Sequence, residues 1–159
     1  MTRTSLDHHN CSFARTVDLI GDRWSLMILR DAFFGVRRFS QFKQRLGITQ
    51  AVLSARLSHL VDHGVLAREV IDEDGSREQY RLTDKGRGLF PVVVALMQWG
   101  DQWVHGHTGP PLLLADADSG AALDKLAVTA SGRAVQPQRI VIAAGPGATL
   151  ETQRLLKQV

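Results

Sequence analysis

Phe39-Ser40-Gln41-Phe42-Lys43-Gln44-Arg45-Leu46-Gly47-Ile48-Thr49-Gln50-Ala51-Val52-Leu53-Ser54-Ala55-Arg56-Leu57-Ser58-His59-Leu60-Val61 holds two helical patterns joined by a very short turn. Phe42 and Leu46 sit four apart and share one face of the first, with Ser40 as its expected N-cap. Gly47 supplies the left-handed residue that ends it. Thr49 caps the second, whose buried stripe is Leu53, Leu57, Leu60 and Val61, and Gly64 closes it. Two amphipathic helices around a tight Gly-containing turn make a helix-turn-helix pattern. The stretch is also basic. Arg37, Arg38, Lys43, Arg45 and Arg56 fall between Ala32 and Val61 with no Asp or Glu, in a chain whose formal net charge is only +3. A solvated basic face is the bland alternative; a local basic patch on this motif is the footprint of a phosphate-binding surface.

Outward toward the N-terminus, Phe13, Val17 and Ile20 recur at helical spacing over Ser12 to Ile20, and Gly21 breaks the pattern. Trp24 to Phe34 is apolar almost all round, which predicts a helix buried in the middle of the domain, with Trp24 as core. Toward the C-terminus the period changes. Val65 to Asp72 and Arg77 to Thr83 read as strands around the turn cluster Glu73-Asp74-Gly75-Ser76, a hairpin placed as a wing. Thr83 is then expected to cap one long helix to about Val104, bent or weakened early by Pro91. Its apolar stripe is Leu89, Val92, Val93, Leu96, Trp99, Gly100 and Trp103.

From residue 108 the composition shifts. Gly109-Pro110-Pro111 reads as a linker, and short apolar runs up to Pro146 suggest a small β unit, followed by a terminal helix from Leu150. The expected fold class is α+β, mainly helical: a winged helix-turn-helix over residues 1–107 with a small β-rich extension over 108–159. The extension is expected to be compact, with Leu112, Leu114, Leu126, Val128, Ile140 and Ile142 packing on one another, on the body or on a partner subunit.

A reading helix needs side chains that approach base edges closely. The outward face of the second helix offers Thr49, Gln50, Ala51, Ser54, Ala55 and Ser58, with His59 at its edge. Arg38, Ser40, Gln41 and Lys43 are the expected phosphate contacts at the start of the supporting helix. Arg56 is placed to reach phosphate or base, or to pair with an acid such as Asp62. Arg77 is the wing candidate, although Glu73 and Asp74 argue against deep insertion of the wing tip. Phe13, Val17, Val93, Leu96, Trp99 and Trp103 are expected to hold a homodimer, since a helix with that stripe would otherwise leave a large apolar patch in water.

These residues resemble the HxlR-type family of bacterial winged-helix regulators. The carriers are Cys11 with Asp18-Leu19-Ile20-Gly21-Asp22-Arg23-Trp24, then Leu29-Arg30, Arg38 to Phe42, and Ile48 to Leu57. Tyr80-Arg81-Leu82-Thr83-Asp84-Lys85-Gly86 and Trp99-Gly100 complete them. The resemblance implies dimers, built from the N-terminal and long C-terminal helices, on palindromic operators. It also implies that some members answer to electrophiles or oxidants through a cysteine at the place of Cys11, a candidate redox switch here; an inert thiol at the dimer interface is the alternative. The chain departs from the family at Gly75-Ser76, where Pro-Pro is common, and at Ala51, where many members carry Lys. More faintly, the extension resembles a zinc ribbon stripped of its ligands. Val128 and Ser131 stand where a Cys-x-x-Cys pair would be, and Ser119 near another ligand place.

Other classes fit less well. A metal-responsive regulator would gather His8, His9, Cys11, His105 and His107. An enzyme would need a phosphate loop, a Ser/His/Asp set or paired carboxylates, and no such pattern is read. No cofactor and no bound metal are expected. The apolar runs are too short for a membrane span, the first ten residues are polar, and the lone Cys11 makes no internal disulfide. A cytoplasmic protein with double-stranded DNA, a second copy of itself and a small-molecule effector as partners is the resulting expectation.

Overall fold

A computed structural model describes residues 5–72, 77–105 and 109–158 of the 159-residue chain. Four helices come first: α1 (Ser12–Ile20), α2 (Arg23–Phe33), α3 (Phe39–Leu46) and α4 (Gln50–Asp62). Strands β1 (Leu66–Val70) and β2 (Glu78–Leu82) follow as an antiparallel hairpin with Leu66 opposite Leu82 and Arg68 opposite Tyr80. The turn at 73–76 lies outside the described residues. Helices α5 (Asp84–Arg87) and α6 (Phe90–Trp103) close the body. The fold is mainly helical with small antiparallel sheets, as the periodicities predict.

The local chemistry explains the boundaries. Asp22 caps α2, its Oδ1 accepting from the Trp24 and Ser25 backbone N–H groups. The α3 cap is two residues earlier than Ser40 suggests. Arg38 is the N-cap residue, and the Gln41 side-chain oxygen accepts from the Arg38 and Arg37 N–H groups. Gly47, at φ 62°, ends α3 in the left-handed conformation that a side chain would strain. Thr49 caps α4 through the Val52 N–H. The helix expected to run unbroken from Thr83 is two. Thr83 caps only the short α5, and Pro91, at the start of α6, cannot continue the preceding hydrogen-bond ladder.

The core is one cluster beneath the helix-turn-helix. Ile28, Leu29, Phe42, Leu53, Leu60 and Val65 are fully buried, and Leu57 and Leu66 nearly so. Each such side chain contributes roughly 1.5–3 kcal/mol of transfer free energy. Tyr80 meets Phe42 edge-on, with ring centroids 6.4 Å apart. The Tyr80 N–H also donates to the Arg37 carbonyl at 2.8 Å, which ties the wing to the turn ahead of α3.

The extension departs from the expected compact β unit. It contains an isolated bridge between Ala115 and Ala122, a hairpin of two-residue strands β3 (Thr129–Ala130) and β4 (Arg133–Ala134), a 3-10 turn at Pro137–Arg139, and α7 (Leu150–Leu156). Ser131 and Gly132 form the hairpin turn. Leu112, Leu126, Val128, Ile140 and Ile142 are exposed rather than packed together, and Leu114 is half-buried. So few apolar residues per turn cannot enclose a core of their own. Polar contacts hold the segment to the body instead. Gln98 of α6 donates to the Asp124 carbonyl and accepts from the Leu126 N–H, and the Asn10 side chain accepts from the Thr149 N–H and the Thr152 hydroxyl.

Candidate nucleic-acid interface

The three buried leucines of α4 fix its rotation. Leu53, Leu57 and Leu60 anchor one face, so Gln50, Ala51, Ser54, Ala55 and Ser58 stand exposed on the other, at helical spacing. Thr49 is exposed at the helix start, its hydroxyl engaged with the Val52 N–H. The face is free of bulk and of charge. Arg38, Ser40 and Lys43 are exposed beside it at the N-terminal half of α3. Gln41 is exposed too, but its side-chain oxygen serves the α3 cap, leaving its amide group to act as a donor.

Two residues take other places. Arg56 leans back against α2, its Nη1 3.6 Å from Asp22 Oδ2. Its acid partner is thus the α2 cap and not Asp62. His59 is half-buried, and its Nε2 lies 2.9 Å from the Leu19 carbonyl, so it joins α4 to α1 and does not share the reading face. On the wing, Arg77 is exposed and pairs with Asp72 at 3.3 Å.

Sequence reasoning missed the frame that holds α3. Asp31 of α2 is fully buried and receives both Arg30 (2.8 Å) and Arg45 of α3 (3.1 Å). The hydrogen bond to Asp31, aided by its charge, pushes the Arg45 pKa up. Arg37 adds two bonds to the Ala32 and Val36 carbonyls at the end of α2. An Asp inside an apolar helical run, with basic residues one position and one helix away, was the available signal.

The residues expected to pair two subunits divide. Phe13, Leu96, Trp99 and Trp103 are exposed by 78%, 51%, 60% and 66%, and Val17 is half-buried. Val93 is corrected: at 6% exposed it belongs to the core. On α6, Val92, Leu96, Trp99 and Trp103 follow i, i+4, i+7 and i+11 along one side, whereas Val93, Val94 and Met97 point inward. Cys11, the N-cap residue of α1, is exposed beside a cleft of about 350 Å³ that Arg15, Ala148 and Thr152 also line. Among the described residues no three His, Cys, Asp or Glu gather as a metal site requires. His8, His9 and His105 gain no geometric support as ligands, and His107 lies outside the described residues. No described helix is long and apolar enough to cross a membrane.

Comparison with known proteins agrees with this geometry. The model of the HxlR-like helix-turn-helix family matches residues 19–108. The HTH-type transcriptional regulator Rv3095 of Mycobacterium tuberculosis is 43% identical over 137 residues, covering 86% of this chain and 87% of that one. PA1607, whose crystal structure is described as that of a candidate transcription factor, superposes with a TM-score of 0.83 at 41% identity, over 89% of this chain and 100% of that one. The redox regulator HypR in its oxidised form superposes with a TM-score of 0.53 at 33% identity, over 57% of this chain and 94% of that one. The chain belongs to the HxlR-like helix-turn-helix family and is a transcriptional regulator of the helix-turn-helix type.

Proposed function

We propose that the protein binds a palindromic operator as a homodimer, with α4 in the major groove of each half-site. The observation that carries this reading is the exposed small-residue face of α4 beside acid-free basic side chains of α3. Gln50 offers the bidentate amide that suits adenine, and Ala51 and Ala55 suit thymine methyl groups. Arg38, Ser40, Gln41 and Lys43 hold phosphates, and Arg77 reaches the backbone from the wing. Arg56 serves first as the tether of α4 to Asp22, within reach of a phosphate on the same flank. Residues 1–107 act as the DNA-binding and pairing unit, and 108–159 as an extension that shapes it without metal.

Phe13, Val17, Leu96, Trp99 and Trp103 form the subunit contact, because exposed aromatic stripes of this size mark association surfaces. Cys11 is the responsive thiol. Its exposure and the likeness to a redox regulator support this role. With no second cysteine in the chain, its disulfide partners are the other subunit's thiol or a small thiol.

Mapping bound genomic fragments, followed by titration of the recovered site, tests the reading. Gln50→Ala should cost about 1–3 kcal/mol on the operator and change base preference. Lys43→Ala should weaken all duplexes and lower the salt slope by about one per phosphate lost. Equal binding of operator and random duplex at every salt concentration would refute the assignment. For Cys11, a Cys11→Ser reporter strain should lose its response to diamide; an unchanged response removes the switch.

A further inference from the structure

The geometry points to a binding site for a small amphipathic carboxylate in the cleft between α1 and the start of α6, coupled to the reading helix. The cleft has a volume of about 260 Å³. Leu19, Ile20, Val65 and Leu89 give it an apolar floor, and Arg15 and Lys85 stand at its rim. No carboxylate is among the described residues that line it. Ligand pockets are commonly about 300–1,000 Å³, lined by apolar groups with a few polar ones that fix orientation. A cleft just below that range, with two cations, selects a single ring or short chain bearing one carboxylate. The charge assignment follows from the complementarity of cation and carboxylate: guanidinium and ammonium groups make shorter, stronger hydrogen bonds to an ionised acid than to a neutral amide.

The walls of this cleft also hold α4. The Leu19 carbonyl lies 2.9 Å from His59 Nε2, and Lys85 Nζ donates at 2.8 Å to the carbonyl of His63, the C-cap residue of α4. A carboxylate that recruits Lys85 competes with that carbonyl for the ammonium's position, and a ring wedged against Leu19 bears on the His59 contact. Two polar ties of the C-terminal end of α4 therefore run through the site, which supplies the differential contacts that coupling requires. Pairing of subunits through Phe13 and Val17 would leave the cleft open, because those residues lie about half a turn round α1 from Arg15 and Leu19 at 3.6 residues per turn. The coupling, though not the site, rests on the DNA-binding reading above.

The test titrates full-length, methyl-labelled protein with benzoate and with its neutral isostere benzamide. Benzoate should shift the Leu19, Ile20, Val65 and Leu89 methyl resonances saturably and bind about tenfold tighter than the amide, the scale of one charge-assisted hydrogen bond. The Arg15→Gln/Lys85→Gln double variant should bind acid and amide alike, and Leu89→Trp, which fills the cleft, should bind neither. Absence of saturable shifts at these methyls, or equal affinities in the wild type, overturns the site. At saturating benzoate the operator affinity should change by about fivefold or more, and operator should change benzoate affinity by the same factor. An unchanged operator affinity overturns the coupling. If the protein binds no duplex selectively, the functional reading and the coupling fall together while the methyl shifts still decide the site.

Discussion

Gly86 and Tyr80 show how single residues set the junction between the wing and the closing helices. A Cβ on Gly86 would come within 2.2 Å of the Val65 carbonyl oxygen, which is backbone and cannot swing aside. Thr83 already fastens that turn by donating its hydroxyl to the Gly64 carbonyl at 2.6 Å. Gly86→Ala should therefore destabilise the fold by about 1–3 kcal/mol through overpacking, read as a lower midpoint in urea with an unchanged slope. A midpoint equal to wild type would contradict the contact. Tyr80 is buried, and burial holds its phenol pKa above 10.0 against the opposing pull of Arg68. The folded state thus keeps its proton where the unfolded chain has released it. That contribution is whole below pH 10 and is lost as pH rises through the raised folded value. Tyr80→Phe should flatten the fall in stability above about pH 10; parallel curves for the two proteins would count against it. Asp31 is the buried charge that joins α2 to α3 through Arg30 and Arg45. Asp31→Ala removes the hydrogen bonds to Arg30 and Arg45 and leaves a cavity, and should cost about 1–3 kcal/mol in chemical denaturation.

Among the elements, α6 has the most instructive geometry. It carries apolar residues on two sides, one against the core and one in solvent. The sequence merges them, because Val92 and Val93 are adjacent and equally apolar, and only the packing of Val93 and Met97 against the core separates the two. The helix-turn-helix was legible for a different reason: Gly47 and Thr49 are unambiguous stop and start signals, and Leu53, Leu57 and Leu60 leave a single possible inward face. The split at Gly88 was half legible. Pro91 announced a weakness, but the position of the break depends on the Thr83 and Gly86 contacts to Gly64 and Val65, which are distant in sequence. In the extension, alternation of apolar and turn residues predicts sheet. Its backbone instead closes local turns, such as Asp116 accepting from the Ser119 N–H and hydroxyl, while side chains of α1's leader and α6 supply the anchors. The outward stripe of α6 makes a direct prediction. Trp99→Ala with Trp103→Ala should convert a dimer to a monomer in sedimentation while leaving the helical circular dichroism intact; a wild type that sediments as a monomer at micromolar concentration would remove the pairing surface.

For the whole molecule, the body divides labour between its ends. The exposed basic residues of α3 with the small-residue face of α4, and the exposed apolar stripe of α6, share no residue, so on the proposed function pairing through the second would leave the first for DNA. Two-fold pairing would set two α4 helices roughly 34–36 Å apart, one turn of duplex. The most direct measurement is a hydroxyl-radical footprint on the recovered operator, combined with the stoichiometry of the complex. Two protein chains per duplex, with two protected half-sites centred about 10 base pairs apart and lost together in Gln50→Ala, are the predicted result. A single chain bound with one continuous, sequence-indifferent protection that survives Gln50→Ala would contradict the account.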